Sequence, residues 1–207
     1  MKYNKEKGGG RMRVFVTDLN MSPADAARLT AALPPSAAHR AGNLAATVGF
    51  LLVRYALYRL DPHVSADNWQ RGENGKPRLP AGKPYFNLSH SRYGVAVIVC
   101  EQNEVGVDLE EIKPHPLRFA KRYYSENEQA MIASSAAPES EMIRIWTAKE
   151  AEGKRLSTGL SGGIAHIPIQ TAASIQLTLG EKPHWLSVAP TDAMPPIEWV
   201  TVKQLLQ

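Results

Sequence analysis

Tyr93-Gly94-Val95-Ala96-Val97-Ile98-Val99-Cys100, a turn at Gln102-Asn103, then Val105-Gly106-Val107-Asp108-Leu109-Glu110: this stretch decides the architecture. The first run is apolar and rich in β-branched residues, and it predicts a strand. The second predicts another strand, over 105–109. On a strand, residues two apart share a face. Val107 and Leu109 therefore point into the core, while Asp108 and Glu110 point together the other way.

Working outward, Tyr85–Leu88 reads as a short strand before the apolar run, and 72–84 reads as turns because it is rich in Gly and Pro. Upstream, the spacing predicts a long helix over 36–60, stopped by Asp61-Pro62. Ser22-Pro23-Ala24-Asp25 opens a shorter helix, and 13–19 is a first strand. Downstream, Ser125-Glu126-Asn127-Glu128 fits a capping box, 139–156 reads as a long helix, and 164–202 alternates as strands. The order is strand, helices, strands, helices, strands. It predicts an α+β protein of two halves, 12–103 and 104–207, behind a leader over 1–11 that contains Gly8-Gly9-Gly10.

At 207 residues, with 43% hydrophobic and 21% charged residues, the chain can bury a core. Its net charge of +4 fits an anionic partner or a plain solvated surface. The single cysteine, Cys100, excludes an intramolecular disulfide. The polar N-terminus does not read as a secretory signal, and the apolar stretch 44–53 is too short to cross a bilayer, so the cytoplasm is the expected location.

Two neighbouring carboxylates repel unless a cation lies between them. With no His or Cys cluster nearby, Asp108 and Glu110 suit Mg²⁺ or Ca²⁺, or else simply end a solvated strand. Trp146, Glu150 and Lys154 are four apart and share one helix face, either as a site or as an ordinary Glu–Lys pair. Asn87-Leu88-Ser89-His90-Ser91 offers hydroxyl, imidazole and backbone donors that suit phosphate, and Gly75-Lys76-Pro77 puts a cation on a turn. Glu128 reads as a capping residue or as a base.

Taken in order, Gly75-Lys76-Pro77, Phe86-Asn87-Leu88-Ser89-His90-Ser91, Val105-Gly106-Val107-Asp108-Leu109-Glu110 and Trp146-Thr147-Ala148-Lys149-Glu150-Ala151 with Lys154 resemble the 4'-phosphopantetheinyl transferases. The larger single-chain type that activates peptide and polyketide synthases is the nearer match, over roughly residues 36–160. The resemblance implies two similar α+β halves related by a pseudo-twofold axis, with coenzyme A and metal in the cleft between them. It implies Mg²⁺ held by Asp108, Glu110 and Glu150. Coenzyme A would be held by Lys76, Ser89, His90, Lys149 and Lys154. Glu150, Lys154 and Glu128 would serve the chemistry. In the family an arginine precedes the Leu-Leu-Arg helix segment and holds the 3'-phosphate. Here Phe50 stands before Leu51-Leu52-Val53-Arg54, and Arg40 is the substitute cation.

The implied reaction moves 4'-phosphopantetheine from coenzyme A to a serine of an acyl or peptidyl carrier protein and releases 3',5'-ADP. A monomer acting on an acidic carrier is the expected form. Two other readings are a protein that binds coenzyme A or the carrier without catalysis, and a basic nucleic-acid module. All three acids are present, which argues against the first. Dispersed basic residues argue against the second.

Overall fold

The computed structural model describes residues 11–67, 69–72, 75–114, 120–157 and 163–207. Apart from Arg11, the expected leader lies outside the described residues. The strands are β1 (Met12–Asp18), β2 (Gln70–Arg71), β3 (Pro77–Arg78), β4 (Tyr85–His90), β5 (Gly94–Cys100), β6 (Gly106–Glu111), β7 (Ala173–Leu179), β8 (Lys182–Ala189) and β9 (Ile197–Trp199). The helices are α1 (Pro23–Ala31), α2 (Leu44–Leu60), α3 (Ala120–Tyr123), α4 (Glu126–Ser134), α5 (Pro138–Leu156) and α6 (Val202–Leu205). The fold is α+β.

Three sheets form. The first runs β4-β5-β1-β9, the second is the β2–β3 hairpin, and the third runs β6-β8-β7. Every residue of β5 is buried, which explains its unbroken apolar run. Val95, Val97 and Val99 join Phe15 and the apolar face of α2 in one core. Ala96, Ile98 and Cys100 join Val107, Leu109, Leu186 and Val188 in a second core between the first and third sheets. The layers are therefore α2, first sheet, third sheet and α5. Beyond α5 a small cluster of Tyr124, Ile132, Met142 and Ile145 seats α4.

The end of the chain crosses back. β9 pairs in parallel with β1, and Leu205 of α6 packs in the α2 core. The expected continuous helix over 36–60 is corrected. Pro35–Arg40 is a 3-10 turn, and α2 starts only at Leu44. Asn43 breaks the run because its extended backbone lets the side chain cap α2, accepting from the Ala46 N–H at 3.0 Å. A second correction is at Ile164–His166, a 3-10 turn and not a strand. Its carbonyls turn inward to a buried ammonium, described below. Ser125 does form the predicted capping box with Glu128. Among the described residues no helix is long and apolar enough to cross a membrane.

Candidate active site

β6 and α5 meet backbone to backbone. A Cβ on Gly106 would lie 1.9 Å from the carbonyl oxygen of Ala151, so only glycine allows this approach. The contact brings Asp108 and Glu110 against the Glu150–Lys154 face of α5. Asp108 is 3% exposed. Its Oδ1 accepts from Lys154 Nζ at 2.6 Å and from Ser89 Oγ at 2.9 Å. Lys154 Nζ also donates to Ser89 Oγ at 3.0 Å, which closes a triangle. Ser89 is delivered by β4, whose Asn87 accepts the Val107 N–H at 3.1 Å through its side-chain carbonyl. That bond joins the edge of the first sheet to the edge of the third. Asp108 Oδ2 is buried and has no hydrogen-bond partner.

The other two acids feel Asp108 directly. The Glu110 carboxyl is pushed up to about 7, first by burial and then by the Asp108 charge, with Lys154 and Lys113 opposing and Glu150 adding. The Glu150 carboxyl is also pushed up, by burial and then Asp108, with Lys154 opposing. Three acids thus share a partly desolvated spot with one close cation. Among the described residues no three His, Cys, Asp or Glu side chains are arranged, as they stand, to hold a metal ion.

A cavity opens on either side of this group. One, of about 420 Å³, is lined by Arg40, Trp69, Arg71, Lys76, His90 and Lys154. The other, of about 450 Å³, is lined by Glu110, Lys113, Tyr123, Tyr124, Met142 and Trp146. Tyr123 meets Trp146 edge-on at 5.7 Å. The acids stand between a cationic cleft and a largely apolar, aromatic pocket. Such a layout can hold a molecule with a polyanionic end and bring a charged reacting centre to the acids.

The structure brings together most of the residues singled out above. Asp108, Glu110, Glu150, Lys154 and Ser89 form the centre, and Arg40, Lys76 and His90 line the cationic cleft. Lys76 also ion-pairs with Glu104 and donates to the Arg155 carbonyl at 2.9 Å, tying the hairpin to the end of α5. Lys149 is not brought to either cavity. It is fully buried and donates to the carbonyls of Ile164, Ala165 and Ile167 at 3.0–3.2 Å. It also pairs with Glu128 at 2.9 Å. These four acceptors engage its donors and shape the 3-10 turn, which leaves nothing for a phosphate. Glu128 is committed the same way, to Lys149 and to the Ser125 N–H at 2.8 Å.

Trp69, Arg71 and Lys113 went unread in the sequence. Arg71 could have been found as a second cation beside the Gly75-Lys76-Pro77 turn. Trp69 and Lys113 carry no local signal.

A family model described as the 4'-phosphopantetheinyl transferase superfamily matches residues 104–193, the span that holds β6 and α5. The chain is 30% identical over 158 residues to 4'-phosphopantetheinyl transferase ffp of Bacillus subtilis, covering 70% of this chain and 68% of that protein. The chain belongs to the 4'-phosphopantetheinyl transferase superfamily. Within it, the chain is 37% identical over 119 residues to 4'-phosphopantetheinyl transferase psf-1 of Bacillus pumilus, covering 53% of this chain and 50% of that protein. It is 41% identical over 86 residues to 4'-phosphopantetheinyl transferase AcpT of Salmonella typhimurium, covering 39% of this chain and 44% of that protein. The chain thus spans about half the length, or less, of these last two relatives.

Proposed function

We propose that this chain transfers the 4'-phosphopantetheine group of coenzyme A to a serine of a carrier protein and releases 3',5'-ADP. The observation that carries the reading is the Asp108–Lys154–Ser89 triangle, flanked by Glu110 and Glu150 and set between a cationic cleft and an apolar pocket. The leaving group is a bisphosphorylated nucleoside, and the cleft collects Arg40, Arg71, Lys76, His90 and Lys154 to receive it. The pocket beside Glu110 suits the less polar arm or the approaching carrier.

The donor set fits Mg²⁺: three carboxylates that repel one another, one with a buried oxygen lacking a partner, and no soft ligand among them. Asp108, Glu110 and Glu150 would hold it. When bound, it would neutralise charge on the pyrophosphate oxygens. Lys154 adds a fixed ammonium at the same place, and Ser89 holds that ammonium against Asp108. A carboxylate oxygen of Glu150 that the metal leaves free would take the proton of the carrier serine. Glu128 and Lys149 stay outside the chemistry and support α5 from behind. The two halves, 12–103 and 104–207, each place a helix on a sheet, with β9 and α6 returned to the first. Because one chain supplies both walls of the cleft, a monomer suffices.

The test is intact-mass spectrometry of an apo carrier protein incubated with this protein, coenzyme A and MgCl₂, beside an EDTA control. A gain of roughly 340 Da, one phosphopantetheine by composition, that EDTA abolishes is the expected result. No gain across carriers from fatty-acid, polyketide and peptide synthesis would refute the reading.

A further inference from the structure

Arg40 is held differently from the other cations of the cleft. No ion pair among the described residues includes it. Its Nε is buried and has no hydrogen-bond partner. The neighbouring charge that acts on it, Arg71, has the same sign, and burial and Arg71 together lower its pKa. What holds it is aromatic. Its Cζ lies 5.0 Å from the centre of the Trp69 ring and 5.5 Å from that of Phe50. The two rings are 5.9 Å apart and inclined by 31°. Phe86 of β4 meets Trp69 edge-on at 5.2 Å, and both phenylalanines are buried in the first core. The support is therefore anchored to α2 on one side and to β4 on the other. The break before α2 puts Arg40 at the end of the 3-10 turn, from which it reaches back over Phe50.

A guanidinium resting on ring faces keeps its rim of N–H donors for a phosphate, which it can grip with two of them. A free arginine beside Arg71 would instead be driven towards solvent, and ordering it would count against binding. We propose that Trp69 and Phe50 are positioning residues that hold Arg40 over the cleft, so that its unpaired donors meet the phosphorylated end of coenzyme A. This rests on the reading of the cleft given above. Phe50 then has a role of its own: it is the platform for an arginine supplied from outside the helix.

The test is calorimetric titration with coenzyme A, without carrier, of the wild type, Trp69→Leu, Trp69→Phe, Arg40→Met and the Trp69→Leu/Arg40→Met double variant. Trp69→Leu weakens binding by roughly five- to thirty-fold, and Trp69→Phe restores most of it. Trp69→Leu costs nothing further once Arg40 is gone. In the transfer assay the change falls on KM for coenzyme A and not on kcat. An equal loss in both Arg40 backgrounds, or no loss at all, overturns the inference. Should Trp69→Leu fail to fold, Trp69→Phe takes its place in the cycle, with an effect of about two- to three-fold expected. A wild type that binds coenzyme A but modifies no carrier refutes the transferase reading and leaves this inference standing. A wild type that binds none overturns both.

Discussion

Replacing Gly106 by alanine adds one methyl group at the point where β6 touches α5. That methyl would lie 1.9 Å from the Ala151 carbonyl oxygen, 2.7 Å from the Arg155 nitrogen and 3.0 Å from the Ala151 carbonyl carbon. All three are backbone atoms, so no side chain can rotate out of the way. To reach even 3.0 Å from the oxygen, strand and helix must part by about 1 Å. The separation reaches the site directly, because Ala151 follows Glu150, Arg155 follows Lys154, and Asp108 is two residues on from Gly106. Overpacking of this kind costs roughly 1–3 kcal/mol. For a chain of this size that lowers Tm by about 2–12 °C. A misplacement of about 1 Å between reacting groups costs on the order of 100-fold in rate. Thermal unfolding by circular dichroism and initial rates of carrier modification measured well below Tm are the assays. Gly42→Ala is the control, since a Cβ there meets nothing within 4 Å. A Gly106→Ala protein within about 1 °C and two-fold of wild type would show that the close approach does not matter.

Asp108→Asn should fold but lose at least about 100-fold in transfer, because it removes the charge that gathers Lys154 and serves as a metal ligand. Transfer within a few-fold of wild type would sink the assignment. Glu110 carries a pH signature. With its carboxyl raised from 4.5 to about 7, the folded chain holds a proton that the unfolded chain has already lost. Stability therefore falls as pH rises through this window in metal-free buffer, and Glu110→Gln flattens the fall. Urea midpoints at pH 5 and 7.5 test this, and an identical pH dependence in both proteins would contradict it. Lys149→Met leaves the Glu128 carboxylate buried and unpaired, which costs about 3–5 kcal/mol, and adding Glu128→Gln recovers part of it. Denaturant melts measure the loss. A stable Lys149→Met protein with abolished coenzyme A binding would reverse the supporting role given to Lys149.

Whatever local backbone geometry dictates was legible along the chain. Strand alternation placed Asp108 and Glu110 on one face and Val107 and Leu109 on the other, because successive side chains of a strand point to opposite sides. The spacing of Trp146, Glu150 and Lys154 put them on one helix face, and the Ser125–Glu128 box marked a helix start from hydrogen-bonding capacity alone. These features fixed most of the centre. What depends on distant partners emerged with the folded layers. Lys149 and Lys154 belong to the same motif, yet one is buried among the carbonyls of Ile164, Ala165 and Ile167 while the other meets Asp108. Spacing can say which residues share a face but not what that face packs against. The same holds for Arg40, held by rings at Phe50 and Trp69, and for β9, which returns to pair with β1. Each such pairing is set by the shape and charge of surfaces that are far apart in sequence and adjacent only once the layers have stacked.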